Sequence, residues 1–214
     1  TLSLHDALPI WNVSENVKSE GKSYTLDMRG KTLSSKEEGK VVFAISGGEV
    51  KIQNGTITGG DYNRSYSSKF DGKGIKATNA DLTLENCVVS KNNGSSMGSV
   101  HGGGISATGG SLTIIGCDII ENTAINRAAG IYALNCPVTI DGNSRISDNA
   151  TSNDADKYAG GIYVEGADLT IRNSEICDNQ IGNAGTNNAS ALVAQNGVVT
   201  IENTVLSGNR VQIE

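Results

Sequence analysis

The chain has 214 residues and a formal net charge of −6, from 17 basic and 23 acidic side chains. It contains no long basic run, which argues against a nucleic-acid partner, and no apolar stretch near the ~18 residues that span a bilayer. A hydrophobic share of 37% suffices for a core, while 27 glycines and 22 asparagines against two prolines mark a chain that turns often.

The first ten residues, TLSLHDALPI, resemble the in-frame translation of a sequencing-adapter oligonucleotide. Residues 1–10 are therefore expected to lie outside the natural fold, and His5 and Asp6 carry no catalytic reading. Residues 11–39 read as an entry segment and first rung, and residues 40–214 as a repeat array expected to continue past its C-terminus.

From residue 50 onward an internal repeat governs the chain. The triplets Val50-Lys51-Ile52, Leu82-Thr83-Leu84, Leu112-Thr113-Ile114, Val138-Thr139-Ile140, Leu169-Thr170-Ile171 and Val199-Thr200-Ile201 recur at near-constant spacing. Seven residues before each stands Phe43, Ile75, Ile105, Ile131, Ile162 or Leu192, and glycine precedes four of these, at Gly74, Gly104, Gly130 and Gly161. A third apolar run ends at Asn92, Asn122, Asn149, Asn179 and Asn209. Period-two alternation identifies strands. Three short strands and their turns fill one period, whereas Gly and Asn interrupt every helical candidate.

The predicted fold is all-β: a right-handed parallel β-helix of about seven rungs, with equivalent strands stacked about 4.8 Å apart. Inward columns of Ile, Leu and Val supply the core, each buried side chain worth ~1.5–3 kcal/mol. The five recurring asparagines are read as a structural ladder. They are expected to take the left-handed backbone conformation at a sharp turn and to hydrogen-bond from rung to rung.

Gly103-Gly104-Ile105 through Asn122, and Gly160-Gly161-Ile162 through Asn179, resemble the GGA/I…FxxN repeat of polymorphic outer-membrane proteins and related autotransporter passengers. The stretch from Tyr24 to Leu33 resembles the first coil of pectin-lyase-like surface proteins. Here Ile, Val or Leu stands where the outer-membrane repeat has Phe. The resemblance implies a secreted or surface-displayed bacterial protein with adhesion or stalk duty. Its expected partner is a host or environmental glycan or matrix surface, with end-to-end self-association possible through the uncapped last rung. The alternative is a carbohydrate-active β-helix, either a polysaccharide-binding module or a lyase or hydrolase fragment.

Connection lengths vary at one place in the repeat, between the ladder residue and the next glycine-apolar pair. The longest connection runs from Gly59 to Asp71 and interleaves Tyr62, Tyr66 and Phe70 with Arg64 and Lys69, a composition able to stack on and hydrogen-bond a sugar. Tyr132 and Tyr163 are expected to project outward as neighbours, packing together or offering a sugar platform. The threonine column from Thr83 to Thr200 is explained by β-propensity better than by ice binding. Scattered carboxylates at Asp118, Asp141, Asp148 and Asp178 and the lone His101 match no polysaccharide-cleaving motif, so no catalytic residue, metal or cofactor is expected. Cys87 and Cys117 share an inward column, Cys136 and Cys177 do not, and no zinc-type spacing is present. A Cys87–Cys117 bridge is geometrically conceivable at one rung's separation, but four free thiols are expected in the protein as isolated, before exposure to any disulfide oxidant. Thiol titration of that denatured, unreduced protein checks this, and a count of two would overturn it.

Overall fold

The computed structural model describes residues 2–3, 10–13, 17–35, 41–60, 70–71, 73–94, 100–151, 159–182 and 189–211. Their regular elements are all strands, stacked in parallel as a solenoid of the right-handed β-helix class. Three columns of strands build it. The first stacks Phe43–Ser46, the start of Ile75–Ser90, the start of Ile105–Ile115, Ile131–Leu134, Ile162–Glu165 and Leu192–Gln195. The second carries the triplets in exact one-to-one register from Val50 through Leu82, Leu112, Val138 and Leu169 to Val199. The third runs from Thr56 through Val88, Asp118, Arg145 and Glu175 to Val205.

A fourth column of two-residue strands, Asn93–Gly94, Thr123–Ala124, Ala150–Thr151, Gln180–Ile181 and Arg210–Val211, follows the ladder residues. Five turns therefore carry the complete repeat, fewer than the seven rungs expected. Upstream, Val17–Glu20, Tyr24–Asp27 and Thr32–Ser35 pair in parallel with the next turn but have no fourth strand among the described residues. Leu2–Ser3 and Ile10–Val13 pair onto that segment, while residues 4–9 lie outside the described residues.

Alternation decides which side chains enter the core. In Ile75–Ser90, Ile75, Ala77, Ala80, Leu82, Leu84, Cys87 and Val89 are buried, and the other residues between them are partly or fully exposed. Because the register never slips, each inward residue meets its equivalents above and below, and the columns merge into one core from Leu26 to Ile176. The last described turn shows the converse. Val199, Ile201 and Leu206 occupy the positions of buried Leu169, Ile171 and Ile176, yet they are 41–44% exposed because no described turn stacks on them.

The asparagine ladder is present and fully bonded. Asn122 Nδ2 donates to Val89 O at 2.9 Å and to Asn149 Oδ1 at 3.0 Å, while its Oδ1 accepts from the backbone N and Nδ2 of Asn92 at 3.1 and 2.9 Å. The same four bonds recur at Asn149 and Asn179. Asn92, Asn122, Asn149 and Asn179 are all fully buried, and the amides of Asn122, Asn149 and Asn179 spend both donors and both acceptor lone pairs inside the protein. At the upstream end Gly60 takes the ladder position and donates its N–H to Asn92 Oδ1 at 3.0 Å.

The expected left-handed backbone falls one residue earlier. Lys91, Glu121, Asp148 and Asp178 have φ of 54–56°, and Gly208 has 64°. The reversal is made before the ladder residue, which leaves the asparagine free to aim its amide into the stack. The glycines before the first column have a matching role. A Cβ on Gly104 would stand 2.8 Å from Gly130 O and 2.9 Å from Asn122 Nδ2. Only a residue without a side chain lets the ladder amide lie against the neighbouring turn.

Candidate binding face

The large changes of connection length enter at the corner between the fourth column and the first; elsewhere in the repeat the one change is a single residue added between Val138 and Ser144. Nine positions separate Asn122 from Ile131, whereas thirteen separate Asn92 from Ile105, Asn149 from Ile162 and Asn179 from Leu192. The other spacings hardly vary. In sequence, segments 61–69, 95–99, 152–158 and 183–188 belong to these connections, and they lie outside the described residues. Tyr62, Arg64 and Tyr66 are among them. Phe70 is placed only by its backbone, which pairs Phe70–Asp71 in parallel with Val100–His101.

The described part of the corner holds a compact aromatic and charged cluster. Tyr132 and Tyr163 are register neighbours in the first column, and their rings stack at 5.7 Å. They face away from the main core, as expected of residues following Ile131 and Ile162, but they are 5% and 0% exposed. The chain folds back over them. Ala128 and Ala159 bridge in parallel across the outside of the column and form a small second core with the two tyrosines. The pair is therefore packed in place, without the open ring faces that a sugar platform requires.

Arg127 closes the cluster from outside. Its Nη1 donates to Tyr163 OH and to Glu165 Oε2, both at 2.7 Å, and its guanidinium lies 5.1 Å from the Tyr163 ring centroid. Tyr163 OH in turn donates to Glu165 Oε2 at 2.9 Å. Arg127 and Glu165 side chains are about one-third exposed, so the pair is the solvent-facing rim of the cluster. On the other side the His101 ring lies 5.0 Å from Tyr132, placing His101 in a packed row of rings. Ser106, one turn before Tyr132 in the same column, buries an Oγ that finds no hydrogen-bond partner.

Burial, together with the bond to Glu165, pushes the Tyr163 phenol up to about 12. A phenol held protonated in the folded chain contributes stability that is complete below its unfolded value near 10 and is lost as pH rises through the folded value. Between pH 10 and 12 the wild type is expected to lose stability more steeply than Tyr163→Phe. Denaturant midpoints measured across that range check the difference, and parallel curves would contradict it.

Comparison with protein-family models, with curated proteins and with solved structures finds no match to this chain.

The remaining candidates take structural positions. The threonine column stands in direct register on the outside of the second sheet, half-exposed. Asp118 pairs across one turn with Arg145 at 3.6 Å. Asp141 accepts from Asn173 Nδ2 at 2.9 Å, which holds its carboxyl below the usual range. Asp148 and Asp178 are the left-handed turn residues described above. No group of three or more metal-ligating side chains occurs among the described residues.

Sequence reasoning missed a second polar column. Cys87, Cys117, Ser144 and Ser174 occupy equivalent places on consecutive turns, where the second sheet bends into the third. Cys87 N donates to Cys117 Sγ at 3.3 Å, and Cys117 N donates to Ser144 Oγ at 3.1 Å. The cysteines are thus corner residues of the same kind as the serines, not simple apolar fillers. All four cysteines are free.

Proposed function

We propose that this chain is a non-enzymatic stalk or adhesin segment of a secreted or surface-displayed bacterial protein, which binds through inserts on one corner of a rigid rod. The observation that carries this reading is the confinement of length variation to that corner. Three sides repeat with spacing that changes by no more than one residue and with continuous hydrogen bonding, so they have a supporting role, whereas the fourth accepts inserts of different length and composition. Inserts collected on one edge of a solenoid are where such repeat architectures place recognition. On the same side, the row from His101 to Tyr163, clamped by Arg127, is firmly packed. The partner class is a glycan or matrix surface, recognised through the aromatic and basic residues of the 61–69 segment together with Phe70.

A glycan and matrix-protein array tests the reading. The wild type is compared with Tyr62→Ala, Tyr66→Ala and Phe70→Ala combined, with circular dichroism confirming the fold. The combined variant is expected to bind about tenfold more weakly or worse, equivalent to at least ~1.4 kcal/mol. Unchanged affinity would remove this insert from the reading. Growth of unsaturated product from uronate polysaccharides with calcium would replace the reading with a lyase.

A further inference from the structure

We propose that Cys87 and Cys117 form a specific oxidisable pair whose disulfide fastens two consecutive turns of the rod, with a low-molecular-weight disulfide such as oxidised glutathione as its oxidant. The inference is independent of the binding role proposed above. It begins from placement. The two cysteines sit at equivalent positions one turn apart, and one strand spacing, about 4.8 Å, lies inside the Cα separation that a disulfide spans. The Cys117 sulfur already leans toward its neighbour, accepting the Cys87 N–H at 3.3 Å. The positions on either side are Gly55 and Ser144, so each sulfur has a single sulfur neighbour in the column. Cys136 lies on a different turn corner beside Pro137, and Cys177 lies in a third-column strand.

The pair is also chemically asymmetric. The Cys117 thiol beside it holds the Cys87 thiol below the ordinary thiol range, while the Cys87 sulfur and burial push Cys117 up. Burial pushes Cys136 up to about 11 and raises Cys177 as well. Either thiol can attack first, because the chain meets the oxidant before the column is buried; with Cys87 leading, Cys117 is the resolving sulfur. Cys87 thiolate attacks one sulfur of glutathione disulfide, forming a mixed disulfide and releasing one glutathione thiolate. Cys117 gives its proton to solvent and attacks Cys87 Sγ, forming the Cys87–Cys117 bond and releasing the second glutathione. The two cysteines lose two electrons together, and one glutathione disulfide becomes two glutathione molecules.

Both cysteines are 1% exposed, so the test lets the chain meet the oxidant while it folds. Reduced, denatured protein is refolded in a glutathione redox buffer and in a fully reducing buffer, and the monomers are compared. The expected oxidised product has two thiols instead of four and a mass lower by two hydrogens. It yields a proteolytic peptide joining Cys87 to Cys117, and its Tm is higher by about 5–10 °C, scaled from a closed loop of this size. Cys87→Ser and Cys117→Ser, which place in the column the residue already present at Ser144, are expected to fold and to retain their three thiols. Cys136→Ser with Cys177→Ser is expected still to form the bond. Four thiols in the oxidised monomer, stable glutathione adducts without a crosslink, or a bond involving Cys136 or Cys177 would each overturn the proposal.

Discussion

Asn149→Ala is expected to lower the Tm by about 10 °C. The substitution deletes four buried hydrogen bonds at once. Ile119 O and Asn179 Oδ1 lose the donors they now accept from at 2.8 and 3.0 Å. Asn122 loses the acceptor for both its backbone N–H and its Nδ2, at 3.1 and 3.0 Å. Asn122 is itself fully buried, so water cannot replace these partners without opening the turn. Each buried group left unsatisfied costs about 1–3 kcal/mol, and the summed loss of about 3–5 kcal/mol corresponds to roughly 2–4 °C per kcal/mol in a domain of this size. Asn149→Asp separates bonding from shape, because the two side chains are nearly isosteric. An ionised carboxylate donates to neither Ile119 O nor Asn179 Oδ1, and its charge is buried. A protonated acid restores one donor. The deficit of Asn149→Asp relative to wild type is therefore expected to be larger at pH 8 than at pH 4, read as the difference in Tm at each pH. An equal deficit at both would mean that the ladder acts through packing alone.

Gly130→Ala is expected to be nearly as damaging, for a reason on the other side of the same contact. A Cβ at this position would stand 2.5 Å from Gly161 O on the next turn and 3.1 Å from Asn149 Nδ2. The first neighbour is backbone inside a continuous parallel stack, so it cannot move without displacing the turn above. Overpacking of this kind costs typically about 1–3 kcal/mol, and more where backbone must shift. Gly21→Ala is the matched control: its φ is +59°, but nothing lies within 4 Å of its Cβ position, leaving only the backbone strain of about 1–2 kcal/mol. Gly130→Ala is expected to exceed it in thermal melts, and the reverse order would show that the glycine column serves turn conformation and not close approach. Combining Gly130→Ala with Asn149→Ala is expected to cost less than the sum, because one of the two clashes disappears with the amide.

These two positions also show what could be read before the chain was folded. The Asn and Gly columns repeat at the spacing of the triplets, so their alignment into stacks follows from periodicity as soon as the strands are recognised. What periodicity cannot say is which residue bears the turn's backbone strain. Lys91, Glu121, Asp148 and Asp178 share no chemistry that favours a left-handed conformation over their neighbours. The amide two-way bonding requires that conformation to fall one residue before the asparagine, and this emerges only when the turn is built. The polar corner column stayed hidden for a related reason. Cys87, Cys117, Ser144 and Ser174 differ in residue type, and the offset from the triplet shifts by one at Ser144, so identity and spacing both obscure an equivalence that backbone pairing makes plain.

The candidate site divides in the same way. That recognition would gather at one corner was legible from connection lengths, because a closed stack of parallel strands tolerates insertion only between strands. That Tyr132 and Tyr163 would lie side by side was legible from register. Their burial was not, since it depends on Ala128 and Ala159 returning over the first column and on Arg127 reaching Glu165, 38 residues later. By itself, then, the amino-acid sequence determined the parallel coil, the core columns, the ladder and the corner where inserts enter, because each is a local pattern repeated at fixed spacing. The tertiary structure alone decided which outward residues are covered and which turn residue carries the strain, because these depend on how the chain returns over its own columns and on how each turn is built in space.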